Sequence, residues 1–534
     1  MKELKYIIVI AVLLLVYSCA NRGTPSGGEY DRTPPIVLES NPENFTNNFN
    51  STEIKILFDE YIRVRNLQKE LIISPPIDPL PEITPIGSAS KDISIKGLDS
   101  LSPNTTYSFN FGESIEDNNE GNPFSNFKYV FSTGQHIDSL IIKGYIKDAL
   151  EREVDEGISL LLYEVDSSYN DSVIYMKKPK YMTKLVDSTS TFRLENLKKG
   201  EYLLIALKED DTERDYIFQN TTDKIGYARN FLNLPNDSIA EIQIFKEDIP
   251  FIISKAKQKS KNYFAFGYQG KIEDFKIKML EPKEKNLENR IIKDRDSDTL
   301  NYWIKSSEKI DSIKFLVSTQ TKVDTFNINL RKNNSDSLEI KSLQNNLLKF
   351  YEDLELHANI PYNKIDTTKI NIFDKDSIRM PFTYKLDTLN NIYKFSISKE
   401  EDQSYSYEFL PSAIEDFYGN TNDTLFYKLK TKKYDDYGNL RLTLKNAIAP
   451  IIIQLVSRVG EVKYEKYIEQ LEPIEFRNID PGKYYIRIVY DSNQNKQYDS
   501  GNFLERKKPE RVSYFPEELD IRAGWDLIQE FILQ

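Results

Sequence analysis

The sequence predicts an all-β chain of tandem β-sandwich domains in series behind a short N-terminal tether. Three observations predict it. The composition sets 34 Tyr and 29 Phe against 5 Met and 1 Cys, and aromatic side chains suit a pleated, half-buried surface better than a helix. Short runs alternate strictly, as in Tyr107-Ser-Phe-Asn-Phe111, where every second side chain faces one core. The chain also repeats itself in blocks of domain size, and 534 residues are enough for several domains.

The N-terminus comes first. Lys2 and Lys5 precede an apolar run from Tyr6 to Val16, which is signal-peptide length and too short to span a bilayer. It ends in Val16-Tyr17-Ser18-Cys19. That ending resembles a bacterial lipobox, with Tyr17 bulkier than usual. The resemblance implies cleavage after residue 18, a lipidated Cys19 and attachment to the membrane without crossing it. Cys19 is the only cysteine, so no disulfide framework competes for it. Residues 19–30 are small, polar and Gly/Pro-rich, a flexible tether. Surface-exported lipoproteins of the Bacteroidota, which the chain resembles, typically carry an acidic run after the cysteine. Here the first acid is Glu29, so the face of the outer membrane stays open.

The formal charge is −12, and −13 once the +1 of Lys2, Glu3 and Lys5 is removed. An acidic surface without a basic stripe argues against nucleic acid as a partner and against peripheral binding to anionic lipid.

Two units repeat in the same order. The first copy of one carries Tyr107-Ser-Phe-Asn-Phe111, Ile115-Glu-Asp-Asn-Asn-Glu-Gly-Asn122 and Lys128-Tyr-Val-Phe-Ser-Thr133. The second carries Tyr405-Ser-Tyr-Glu-Phe409, Ile414-Glu-Asp-Phe-Tyr-Gly-Asn420 and Leu425-Phe-Tyr-Lys-Leu-Lys-Thr431. With Asp31-Arg-Thr-Pro-Pro and Glu53-Ile-Lys-Ile-Leu-Phe-Asp59, these resemble the SbsA-like bacterial Ig-like domain, over residues 31–135 and, mainly in its latter half, 340–435. The other unit pairs Phe192-Arg-Leu-Glu-Asn-Leu-Lys-Lys-Gly-Glu-Tyr-Leu-Leu-Ile-Ala206 with Phe476-Arg-Asn-Ile-Asp-Pro-Gly-Lys-Tyr-Tyr-Ile-Arg-Ile-Val489. It resembles the prealbumin-like fold of carboxypeptidase regulatory modules, over 138–248 and 438–534. Residues 250–337 alternate as a further β-domain without a family name. Ser342–Leu356 is the one helical candidate.

Catalytic residues are not expected. His136 and His357 lie in unrelated contexts, and no phosphate loop or nucleophile–base pair stands out. One loop has cation-binding spacing: Asp491, Asn493, Asn495 and Asp499 place oxygens two apart, as in calcium loops. Lys496 stands where glycine is wanted and Asn502 where a glutamate belongs, with Glu505 as substitute. A polar hairpin turn accounts for the same residues. The corresponding loop of the earlier copy, Asp210, Asp211, Glu213 and Asp215, is more degenerate. Asp followed by Ser or Thr recurs at Ser100, Ser139, Ser172, Ser238, Thr299, Ser312, Ser377, Thr388 and Thr424. These resemble a Bacteroidota O-glycosylation sequon, although turns that open strands have the same composition.

The expectation is a non-catalytic outer-membrane lipoprotein acting as an interaction or scaffold module. It is expected to need no cofactor, unless that loop holds a structural calcium, and to have an envelope protein as partner; no small-molecule substrate is identified. The alternative is an outward-facing adhesion or glycan-binding lipoprotein with Trp303 and Trp525 as stacking platforms, against core packing for both.

Overall fold

The computed structural model describes residues 31–185, 189–209, 215–282, 287–306, 310–332 and 334–533. The expected signal peptide, Cys19 and the expected tether therefore lie outside the described residues, as do Asp210, Asp211 and Glu213. The described chain is all-β, in tandem β-sandwiches. No helix among the described residues is long and apolar enough to cross a membrane.

The strands sort into five successive units, each with its own buried core. In the first unit, one sheet runs Val37–Asn41, Glu53–Val64, Ser90–Lys96, Glu82–Thr84, and Ile115–Asp117 pairs the far end of Glu53–Val64. The facing sheet runs Ile72–Ser74, Thr106–Asn110, Lys128–Ser132. Tyr107, Phe109 and Phe111 all enter one core with Phe49, Phe58 and Phe131, as period-2 alternation requires.

The fourth unit repeats this order strand for strand. Ile340–Ser342, Leu354–Ala358, Ile392–Ser396 and Thr383–Asp387 form one sheet; Ile370–Phe373, Ser404–Phe409 and Leu425–Lys430 form the other. Here the long strand is divided: Leu354–Ala358 ends before Pro361, and Tyr362–Ile365 takes up the pairing with Ile414–Asp416. Proline cannot donate to a ladder, which accounts for the break.

The shared Ile-Glu-Asp motif has a physical reason in both copies. The carboxylate of Asp117, buried at the end of a short strand, accepts backbone N–H groups from Asn119, Glu120, Gly121 and Asn122. Asp416 does the same with Tyr418 and Asn420. A buried carboxylate is tolerated when the turn it caps satisfies it.

The helix expected over Ser342–Leu356 is absent. The segment leaves the Ile340–Ser342 strand and re-enters a strand at Leu354. Between them Leu348 is fully buried, and its N–H donates to the Lys430 carbonyl at 2.9 Å. The apolar residues that suggested a helix face are anchors of an irregular crossing, and tertiary contact overrides weak propensity.

The second and fifth units also share a plan. In the second, Leu140–Asp148 pairs in parallel with Ile239–Phe245 and antiparallel with Thr191–Leu197, while Gly200–Lys208 is central to the other half. In the fifth, Gly438–Lys445 pairs in parallel with Asp526–Ile532 and antiparallel with Ile474–Ile479, and Gly482–Tyr490 is central. The turn before each central strand is built alike. Asn196 and Asn478 take positive φ, and the Tyr202 and Tyr484 hydroxyls donate back to the carbonyls of Lys198 and Asp480. The third unit packs Tyr263–Gln269, Thr299–Lys305 and Glu288–Lys293 against Lys276–Glu281, Ser312–Ser318 and Val323–Asn329 around Phe264, Phe266, Tyr302 and Phe315.

Candidate functional site

A set of polar and aromatic contacts joins the second and fifth units. The fifth unit sends the segment after Gly482–Tyr490 into the second unit. Phe503, fully buried, enters the outer core of that unit, with its ring 5.4 Å from Tyr227 and in one cluster with Phe245 and Ile225. Around it, Phe503 N–H donates to the Glu247 carboxylate at 2.5 Å, Ser500 donates to the Lys246 carbonyl, and Arg506 pairs with Asp171. The Lys508 ammonium sits 3.6 Å over the Tyr227 ring and donates to the Tyr227 carbonyl, a cation–π arrangement. Burial raises the Glu247 carboxyl above its ordinary range.

The docking is reciprocal. Tyr227 lies opposite Ile205, and Tyr514 opposite Arg487; each partner is five residues after its unit's turn glycine. Tyr227 donates to the Lys507 carbonyl of the fifth unit at 3.1 Å, and Tyr514 to the Leu150 carbonyl of the second at 2.9 Å. Arg487, nearly buried, is held by Gln454 at 2.6 Å and lies 3.6 Å from Glu151. Arg152 covers the Tyr485 ring at 4.3 Å. Two glycines make the approach feasible: a Cβ on Gly501 would meet the Phe245 ring at 2.6 Å, and one on Gly460 would run into the Glu151 carboxylate.

The proposed cation loop is the base of this clamp. Asp491, Asn493, Asn495 and Asp499 are brought together. Asp491 accepts the N–H groups of Asn495 (3.1 Å) and Lys496 (2.9 Å), and Asp499 accepts the side-chain amides of Asn493 and Asn495. Gln494 and Lys496 take the positive φ that such a loop needs. Asn502 turns instead to the Glu505 N–H. Glu510, which sequence spacing did not single out, closes the loop by accepting from Ser492 and Asp499. Among the described residues no cluster of three or more His, Cys, Asp or Glu has metal-holding geometry. Asp215, the described residue of the earlier loop, caps its own turn at the Ile217 N–H.

The other sequence candidates scatter. His136 is exposed. His357 lines a cavity of ≈ 380 Å³ between the third and fourth units, beside Asp294, Asp336 and Tyr263, and desolvation lowers its pKa. Trp303 lines the same cavity but is only 2 % exposed, stacked on Tyr263 at 4.3 Å and clustered with Ile360 and Phe417. Trp525 is 58 % exposed, with the Arg522 guanidinium 5.1 Å over its ring. Of the nine hydroxyl residues, Ser100, Ser139, Ser238, Ser312, Ser377, Thr388 and Thr424 are exposed; Ser172 and Thr299 are half-buried. Ser139, Ser238 and Thr424 immediately precede strands, while Thr299 and Ser312 begin them.

Fold and surface together define a tandem β-sandwich protein with a bacterial Ig-like domain: residues 31–133 match that domain family. No curated protein matches the chain. Among solved structures it is similar to domains 1–6 of the surface layer protein SbsC, at 10 % identity over 91 % of this chain and 67 % of that one, TM-score 0.15. The Bacillus anthracis TIE protein aligns at 11 % over 96 % and 76 %, TM-score 0.15. The Bacteroides ovatus mixed-linkage glucan utilization locus SGBP-B, in complex with a mixed-linkage heptasaccharide, aligns at 10 % over 72 % and 91 %, TM-score 0.17. TM-scores this low leave the likeness without weight for function.

Proposed function

We propose that the chain is a non-catalytic scaffold of the bacterial outer membrane, anchored by lipid at Cys19 and holding an envelope protein as partner. The observation that carries this reading is the clamp. The second and fifth units are docked through a buried aromatic, paired tyrosines and a buried arginine, so the chain from unit two to unit five returns on itself as a frame. A frame keeps binding surfaces at fixed spacing, which is what assembly of other proteins needs.

The test is affinity purification of the full chain from mild-detergent membranes, beside Cys19→Ser. The scaffold reading expects a stoichiometric envelope protein with the wild type and loss of the variant from the membrane fraction. Recovery of the protein alone sinks it. Trp525 favours a second reading, adhesion to glycans, because an exposed indole can stack on a sugar ring. Oligosaccharide binding that Trp525→Ala abolishes, without a protein partner, would put that reading first.

A further inference from the structure

The cavity of ≈ 380 Å³ between the third and fourth units takes its walls from both. The third unit supplies one face of its sheet. Tyr263 lies opposite Trp303, and Asn301 opposite Ile292, so the four side chains share that face. The fourth unit supplies His357 and Lys341, opposite each other in Leu354–Ala358 and Ile340–Ser342. The turn after Glu288–Lys293 adds Asp294, and the segment ahead of Ile340–Ser342 adds Asp336.

These walls offer hydrogen bonds of both kinds beside an aromatic ring. The Trp303 indole N–H is sealed from solvent and has no hydrogen-bond partner, an uncommon state for a buried donor. Desolvation holds His357 below its ordinary pKa, so at pH 7 the ring is neutral and offers one N–H and one lone pair. Asp294 is an acceptor already fixed in place. Its carboxylate takes the Ser297 hydroxyl at 2.8 Å and the Asn301 amide at 3.2 Å. Tyr263 stacks one face on Trp303 at 4.3 Å, and the rest of its half-buried ring lines the cavity.

Charge and size narrow the ligand. Three lysine or arginine side chains stand against four carboxylates around the cavity, a net of one negative charge. That balance gives an anion no net attraction, and no cluster among the described residues has metal-holding geometry. A neutral ligand rich in hydroxyls matches better. Each hydroxyl both donates and accepts, which suits a wall that mixes indole and imidazole with carboxylates. The apolar C–H face of a sugar ring suits the tyrosine. Small-ligand cavities run from about 300 to 1,000 Å³ and favour junctions between domains.

We infer that this cavity binds a neutral sugar ring, with His357, Asp294 and Asp336 taking its hydroxyls and Tyr263 against its face. The site is separate from Trp525, which belongs to the fifth unit, and it does not depend on the scaffold reading.

The experiment uses the full chain carrying Trp525→Ala. Trp303 is then the only tryptophan, so its emission reports on this cavity, and a surface site at position 525 is removed. Glucose, galactose, mannose and N-acetylglucosamine are titrated in turn and followed by emission and calorimetry, with sorbitol and glucuronate as controls. At least one of the four is expected to shift the Trp303 emission saturably, with matching heat, and neither control is. His357→Ala should weaken that binding about tenfold or more. Should His357→Ala melt early, Asp336→Ala, at an exposed position, decides in its place with the same loss. No saturable response to any of the four, a response that sorbitol or glucuronate reproduces, or binding that neither variant weakens overturns the inference. Sugar binding and partner capture are read separately, so either reading can fail alone.

Discussion

Phe503 belongs to the fifth unit by chain position and to the second by packing, so its removal reports on both. Phe503→Ala should cost about 3–5 kcal/mol, as for a buried aromatic, seen as an early thermal transition of the two clamped units. Glu209 carries the clearest titration. It is nearly buried, one of its oxygens accepts the Asp215 and Tyr216 N–H groups, and burial pushes its pKa up to about 7. A raised folded pKa means that stability is fully present below the ordinary carboxyl pKa of 4.5 and is lost as pH rises toward 7. Glu209→Gln keeps an acceptor without the charge. It should match wild type near pH 4 and exceed it above pH 7, by about 3 kcal/mol at most, in melts across that range. None of this was legible in the sequence, where Glu209 is one carboxylate among many.

At the scale of elements, the clamp segment is the most informative. Its Asp and Asn spacing was visible in the sequence, yet its use was not, because the contacts it supports lie some 250 residues away in unit two. The hydrogen bonds within the loop satisfy Asp491 and Asp499 from protein groups. A chelator should therefore leave the melting temperature unchanged. Asp491→Ala, which strands two N–H groups, should lower stability by about 1–3 kcal/mol. Gly501→Ala sets a methyl against the Phe245 ring and should loosen the docking, read as faster hydrogen exchange at Tyr227 and Phe245. The repeated strand–turn–strand motifs behaved differently. Alternation and the Ile-Glu-Asp motif are local, and they marked the aromatic strands of units one and four, although Ile115–Asp117 and Ile414–Asp416, read as part of the turn, are short strands ahead of it. The Ser342–Leu356 segment was misread because burial of Leu348 under a distant strand leaves no local sign.

For the whole molecule, the clamp makes the outline testable. Small-angle scattering of the wild type should report a closed frame of fixed dimensions. Combining Phe503→Ala with Arg487→Ala should lengthen the particle without unfolding units one and four, whose cores are separate. Contacts elsewhere support the same frame. Lys128 pairs with Glu195 between units one and two, the Tyr418 hydroxyl reaches the Ile304 carbonyl between three and four, and Lys349 pairs with Asp480 between four and five.

The sequence by itself determined that the chain is built of β-sandwiches and that two kinds of unit recur in order. Those properties reside in period-2 alternation and short turn motifs, which act over a few residues. Only the tertiary structure decided that the duplicated units dock on each other and that Trp303 is buried between units while Trp525 is largely exposed. Docking depends on which faces of separately folded units are complementary. That complementarity is a sum of contacts between residues hundreds of positions apart, and no local pattern in one chain encodes it.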